Sequence, residues 1–310
     1  MENWYVCADI HDDIEALAKF ADFAQANRAD KIVVCGDLSL RPYAVADLSN
    51  LLDELESQKG QLNDTQINAF LQKCKSWNSK ILNQMREVLN KNKVPFIVVP
   101  GNYDPSLEEV FGPADLHKKT VICGEAKVAG FGGADLYPPH ISLLMKLGEL
   151  VGKEAIVRYD EQELGAFLFK ERPSVVITHN PPYQLCDMSH DDTHWGSRNL
   201  FSYASARNPK LILSGHLHTA GPLGSRFDTQ KGIAVLDGKS GKTVVINPGN
   251  LGRFSIVNPR TLESDLDLPY GTFCRVQVEN DGTPIEAQQY LLSGAPRIIA
   301  EPKSLRKITI

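Results

Sequence analysis

The sequence predicts an α/β fold, a two-sheet β-sandwich core flanked by helices, with a helical hairpin inserted near its beginning. Short, continuously apolar runs of strand length alternate with amphipathic helical stretches through about residue 213. Two long apolar stripes at helical spacing fall between the second and third of these runs. Beyond about residue 232 the pattern changes to paired runs joined by Gly-rich turns, the mark of β-hairpins.

Trp4 to Ile10 is the first apolar run. Asp12 is placed to cap a helix whose Ile14, Leu17, Ala18 and Ala21 share one face. KIVVCGDL (31–38) and VPFIVVPGN (94–102) are buried-strand patterns. Because they are continuously apolar rather than alternating, both faces are expected to be covered by helices.

The inserted hairpin spans about 43–92. Val45, Leu48, Leu52 and Leu55 form its first stripe, and the second runs through Ile67, Phe70, Leu71, Cys74, Trp77, Ile81, Leu82, Val88 and Leu89. The polar SQKGQLND between them reads as a turn. The insertion exceeds what a β-α-β crossover requires, so docking on the sheet edge or on a second copy in a homo-oligomer is expected.

TVICGEAKVAGFGG (120–133) is strand-like, and helical stretches follow around 140–152 and 160–171. SVVITHNPP (174–182) and KLILSGHLH (210–218) are strands, with a helix from about Ser197 to Ala206 between them. In the β-rich C-terminal portion, about 232–310, GIAVLDGKSGKTVVINPG and CRVQVENDGTPIEAQQYLL each read as a hairpin. With no repeat, low-complexity tract or linker, the expectation is one domain over 1–310.

Composition narrows the function. The 310 residues carry a formal net charge of −5, which argues against broad capture of nucleic acid or anionic lipid. No apolar run approaches the roughly 18 residues of a membrane span. The N-terminus lacks a basic n-region. Cys7, Cys35, Cys74, Cys123, Cys186 and Cys274 form no C-x-x-C pair and read as reduced, so a cytoplasmic location is expected.

The apolar runs repeatedly end in residues that ligate metals. Asp9 and His11 close the first, Gly36-Asp37 the second and Gly101-Asn102-Tyr103-Asp104 the third. Thr178-His179-Asn180 and Gly215-His216-Leu217-His218 close two more. Functional groups in open α/β architectures collect outside the carboxyl ends of strands, so five loops can converge. Two aspartates, four histidines and an asparagine carbonyl suit Mn, Fe or Zn and are enough for two ions sharing a carboxylate. Each block alone is a weak signal, because Asp-x-His and Gly-Asp are common turn features. The ordered set of five is the evidence.

That set resembles the calcineurin-like metallophosphoesterase family in its pattern D-x-H, G-D, G-N-H-[DE], H, G-H-x-H, over Asp9 to His218 and on to Asn247-Pro248-Gly249. The resemblance implies a two-sheet sandwich and two divalent ions, with Mn favoured over Fe or Zn. One would be held by Asp9, His11, Asp37 and His218, the other by Asp37, Asn102, His179 and His216, with Asp37 and the ions generating a bridging hydroxide nucleophile. Asp104 would orient a histidine. The third block departs from the family, because Tyr103 stands where relatives have the histidine credited with protonating the leaving oxygen. An ordinary Tyr is a poor proton donor at neutral pH.

THNPPY (178–183) and HWGS (194–197) look like the Icc-like prokaryotic subgroup, in which a His-x-Gly-Ser element opens the next helix. A helix N-terminus suits phosphate, which makes His194 the candidate substitute acid. Arg41 reads as a solvated surface residue, while His117, His140 and His190 match no motif. The expected activity is hydrolysis of a small phosphate monoester or diester, a nucleotide among the candidates. A nuclease lacks the basic groove it needs here. The rival from another class is a catalytically weak member that binds a protein partner through the insertion.

Overall fold

The computed structural model describes residues 1–58, 63–135, 156–190, 192–224, 228–238, 241–257, 264–295, 298–299 and 301–310. Chain order begins β1 (Glu2–Cys7), α1 (Ile14–Ala26), β2 (Lys31–Val34), α2 (Val45–Ser57), α3 (Asp64–Lys91) and β3 (Phe96–Val98). A single helical turn, α4 (Glu108–Phe111), precedes the hairpin β4 (Lys119–Cys123) and β5 (Ala126–Phe131). Then α5 (Glu161–Glu171), β6 (Val175–Thr178), α6 (Arg198–Arg207) and β7 (Leu211–Leu213) alternate. Strands complete the chain: β8 (Ile233–Gly238), β9 (Gly241–Ile246), β10 (Phe254–Val257) and β11 (Ser264–Leu268). They continue as β12 (Gly271–Val278), β13 (Pro284–Leu292), β14 (Gly294–Ala295), β15 (Ile298–Ile299) and β16 (Lys303–Thr309). The helix expected around 140–152 and the centre of the turn at 59–62 lie outside the described residues.

Two six-stranded mixed sheets form, ordered β16-β13-β12-β1-β2-β3 and β4-β5-β6-β7-β9-β8. Side-chain alternation explains how they stack. Trp4, Val6, Val33, Cys35, Val175, Ile177, Leu211, Leu213, Val244 and Ile246 bury themselves in one cluster between the sheets. Their neighbours Tyr5, Cys7, Ile32 and Val34 face away into a second cluster with α1 and α3. Val176, Ile212 and Val245 face away into a third with α5 and α6. The runs are therefore continuously apolar because helices cover one face and the other sheet covers the opposite one. This corrects the expectation of helices on both faces.

The insertion is a hairpin of α2 and α3, as expected, but it is two things in one. Near its tip Leu51, Phe70 and Cys74 make a small cluster of their own. Asn63 starts α3 with a capping box, accepting from the Gln66 N–H while Gln66 accepts from the Asn63 N–H. Toward its C-terminus, Leu82, Met85 and Leu89 belong to the main core with α1. The main core thus takes in only the C-terminal part of α3.

Two further details differ from the sequence reading. Asp13, not Asp12, caps α1 by accepting from the Ala16 N–H, because Asp12 is drawn to the Leu40 N–H of the neighbouring loop. The C-terminal KSLRKIT segment forms β16, pairing with β13 at a sheet edge. Its lysines and arginine hid the strand and suit an exposed edge. Among the described residues no helix is long and apolar enough to cross a membrane.

Candidate metal centre

The loops after β1, β2, β3, β6 and β7 meet at the carboxyl ends of their strands. Two groups of ligand atoms form there: Asp9, His11 and His218, and Asp37, His179 and His216. Within each, the donor atoms lie within 4.8 Å of one another. Asp37 Oδ2 is 3.4 Å from His179 Nε2 and 3.9 Å from His11 Nε2, so it faces both groups. Asn102 joins the second group, its Oδ1 lying 2.9 Å from His179 Nε2. All seven residues named from the sequence are thus brought together.

The backbone bends sharply to present them. Asp9, His11, Asp37 and His216 all have positive φ, at 54°, 49°, 50° and 68°. Such conformations are disfavoured for residues with a Cβ and concentrate at functional sites. Around them, buried hydrogen bonds fix the loops. Asp9 Oδ2 accepts from the His216 N–H, and Asp37 Oδ1 accepts from the Tyr103 N–H. Asn247 directs its amide at the carbonyls of Cys186, Gly215 and Leu217, bracing the loop that carries His216 and His218. Gly101 lets two loops touch, since a Cβ there would fall 2.2 Å from the Asp37 nitrogen.

The donor set fits cations. The Cys35 carbonyl can only accept, so His179 donates to it from Nδ1 at 2.7 Å. That leaves Nε2 facing Asn102 Oδ1 and Asp37 Oδ2, an assembly of lone pairs that needs positive charge at its centre. In the first group His11 Nε2 and His218 Nε2 face each other at 3.2 Å, with Asp9 Oδ1 3.2 Å from His218. Burial opposes a charge on His179, but the Asp37 carboxylate outweighs it and raises the imidazole to about 9, so a proton holds Nε2 between the two oxygens until a cation displaces it. Burial lowers His11 to about 4 and His216 to about 3, keeping both neutral as ligation requires. Burial also opposes the charge on Asp37, yet His179 and His11 hold its carboxyl well below the usual range.

Aromatic walls close the first group. Phe254, at the start of β10, packs its ring edge-on against His11 at 4.3 Å and His218 at 4.8 Å between centroids. The preceding Arg253 is tied to Asp13 by Nε and Nη2 at 2.7 and 2.9 Å, anchoring this ribbon to the cap of α1. No sequence motif marked Phe254. Tyr103 meets His11 from another side, with centroids 6.4 Å apart. Burial, then the nearby Asp37, pushes its phenol well above the ordinary value, so it is a still poorer proton donor.

Several sequence expectations change at this point. Asp104 orients no histidine: its two oxygens accept from the N–H groups of Leu38, Ser39 and Gly101, pinning the second and third loops together. With Tyr at 103 there is no imidazole for it to hold. The N-terminus of α6 is already served by an anion, because Glu161 accepts from the Asn199 N–H and the Ser197 hydroxyl. Ser197 itself caps Leu200. Arg41 is not simply solvated: its Nε is buried with no acceptor among the described residues. His194 lies in the 184–197 loop, where Nδ1 is 2.6 Å from the buried Asp187 carboxylate and its ring packs on Tyr183. Asp187 also accepts from the N–H groups of Gln184 and Gly196. The Asp-x6-His spacing carried that pair in the sequence without a recognised signature. His140 lies outside the described residues.

The family model described as calcineurin-like phosphoesterase matches residues 4–220. No curated protein sequence matches the chain. Solved structures resemble it at low identity. One crystal structure is 18% identical, with 86% of this chain and 98% of that one covered and a TM-score of 0.55. A dimetal phosphatase from Danio rerio is 10% identical over 99% of this chain and 98% of its own, with a TM-score of 0.50. These structural likenesses establish a shared fold.

Proposed function

The chain belongs to the calcineurin-like phosphoesterase family, whose activity is metal-dependent, and we propose that it hydrolyses a small phosphate monoester or diester, nucleotides included in that class. The observation that carries the reading is the pairing of two ligand groups across Asp37, with their lone pairs turned on one another. Two divalent ions, with Mn²⁺ favoured by imidazole-rich ligation, would supply a nucleophilic water at neutral pH and neutralise phosphoryl charge. Asp9, His11, Asp37 and His218 would hold one; Asp37, Asn102, His179 and His216 would hold the other.

The chain's own residues then set the geometry. Asp37 is shared, and its orientation is fixed by the Tyr103 N–H. Asn102 presents a neutral oxygen beside His179. The leaving oxygen needs a proton when it is an alkoxide, and the raised Tyr103 phenol is unsuited to give one. In this reading His194 is the donor: Asp187 holds the proton at Nδ1, which leaves Nε2 to exchange one with substrate. All six cysteines are free thiols, consistent with the cytoplasmic setting included in this proposal.

The test compares an alkyl with a nitrophenyl phosphate ester, because general-acid help matters only for the basic alkoxide. His194→Ala should depress alkyl turnover by about 10²–10⁴-fold and leave the aryl ester nearly untouched. If the donor is absent, Tyr103→His should instead raise alkyl turnover alone. Equal effects on both esters would remove both residues from leaving-group chemistry. Tyr103 also favours a second reading, a member without turnover that docks a partner through the α2–α3 tip. Chelator-sensitive hydrolysis would eliminate it.

A further inference from the structure

A cleft of about 220 Å³ opens beside His218, on the first ligand group. Pro222, Leu223, Leu268 and Tyr270 line it, with His190 at its wall. Among the described residues, the side-chain donors of its threonines and of Asn250 are engaged. Thr219 Oγ1 donates to the Met188 carbonyl and Thr272 Oγ1 to the Pro248 carbonyl. The Asn250 amide donates to the carbonyls of Gly252 and Tyr270. Among the described residues a polar ligand group would meet acceptor oxygens but few free side-chain donors, at a cost of about 1–3 kcal/mol for each ligand acceptor left unpaired.

We propose that this cleft receives the organic group of the substrate and selects a compact apolar group about the size of one aromatic ring. The proposal rests on the phosphoesterase reading, and it adds the chemical class of the ester. Three observations support it. The cleft shares His218 with the ligand group, so a phosphoryl group there would direct a substituent into it. Its walls are chiefly apolar, and Leu223, at 36% exposure, sits where a ligand can cover it. Its volume exceeds the roughly 150 Å³ that admits a benzene ring and falls short of the roughly 300 Å³ at which drug-sized sites begin.

Phosphonates test the idea without the confusion of leaving-group reactivity, since their P–C bond is not hydrolysed. Affinities of methylphosphonate, benzylphosphonate and 2,3-dihydroxypropylphosphonate for the Mn²⁺-loaded protein are read by calorimetry. The benzyl compound should bind at least about tenfold tighter than methyl, because it buries an apolar ring. The dihydroxypropyl compound should gain nothing. Leu223→Asp, at the exposed rim, should abolish the benzyl advantage, read as the ratio of benzyl to methyl affinity so that any general effect of the added charge on phosphonates cancels. Equal binding of methyl and benzyl, a benzyl preference indifferent to Leu223→Asp, or no phosphonate binding at all overturns the proposal. Nitrophenyl phosphate turnover on the same samples separates the two levels. Turnover without a benzyl preference refutes the cleft and spares the hydrolase, whereas a benzyl preference without turnover does the reverse.

Discussion

Gly101→Ala should damage the site through a contact only 2 Å wide. The added Cβ would fall 2.1 Å from Asp37 Oδ1, 2.2 Å from its backbone nitrogen and 2.6 Å from its Cγ. A backbone atom cannot swing aside like a side-chain tip, so the second and third loops must part by about 1 Å to reach ordinary contact. Overpacking of this kind costs about 1–3 kcal/mol and lowers Tm by roughly 1.5–5 °C in a chain of this length. The functional loss should be larger, because Asp37 faces both ligand groups and a 1 Å displacement of a reacting constellation costs about 10²-fold. Gly112→Ala is the control. Its φ of 54° and ψ of −125° lie in a region that favours glycine, so alanine there is strained by about 1–3 kcal/mol, but nothing lies within 4 Å of the new Cβ. Metal content, Tm and turnover measured on both variants should show similar destabilisation, with ions and activity lost only from Gly101→Ala. Full metal content and turnover in Gly101→Ala would refute the assigned role of this contact.

Stability should also fall in mild acid through His117. Burial, with Lys118 and Lys119 nearby and only Glu163 opposing them, lowers this imidazole from its ordinary value to about 4, and its Nδ1 accepts from the Gly132 N–H. The unfolded chain therefore takes the proton first, so the stabilisation is present above about 6.5 and is lost as pH falls toward about 4. His117→Gln should flatten the Tm profile in that window, and an unchanged slope would contradict the burial argument. Replacing residues 46–75 with a short Gly-rich linker should keep the fold and metal binding, read by circular dichroism and metal content. Removing all of 43–92 should unfold the chain, because Leu82, Met85 and Leu89 go with it, each worth about 2–5 kcal/mol in a core.

The candidate ligands were legible in the sequence because each follows an apolar strand, and a carboxylate or imidazole at that place has a narrow range of uses. Parallel strands carried their own signal in continuous Val, Ile and Leu. What covers their second face is not a local property: the same KIVV reads alike under a helix or under another sheet. Asp12 and Asp13 are equivalent caps in sequence, and only the Leu40 N–H, brought in by the fold, distinguishes them. The N-terminus of α6 looked open to phosphate because Glu161 lies 36 residues from Ser197 in sequence. Phe254 packs on two candidate ligands from a strand far along the chain, where its residue type announces no role, and Asn247 fell in the Asn-Pro-Gly end of the family pattern without its bracing bonds being visible. The β16 strand was hidden by its charge, which reports exposure at an edge rather than absence of structure.

Metal stoichiometry and turnover on one sample bear most directly on the two-ion hydrolase. The protein, purified and loaded with Mn²⁺, should hold two ions per chain and hydrolyse a nitrophenyl phosphate ester. Stripping with chelator should abolish turnover, and Mn²⁺ should restore it better than Mg²⁺. Full hydrolysis in excess chelator, or a loaded protein that holds no ion, would contradict the account.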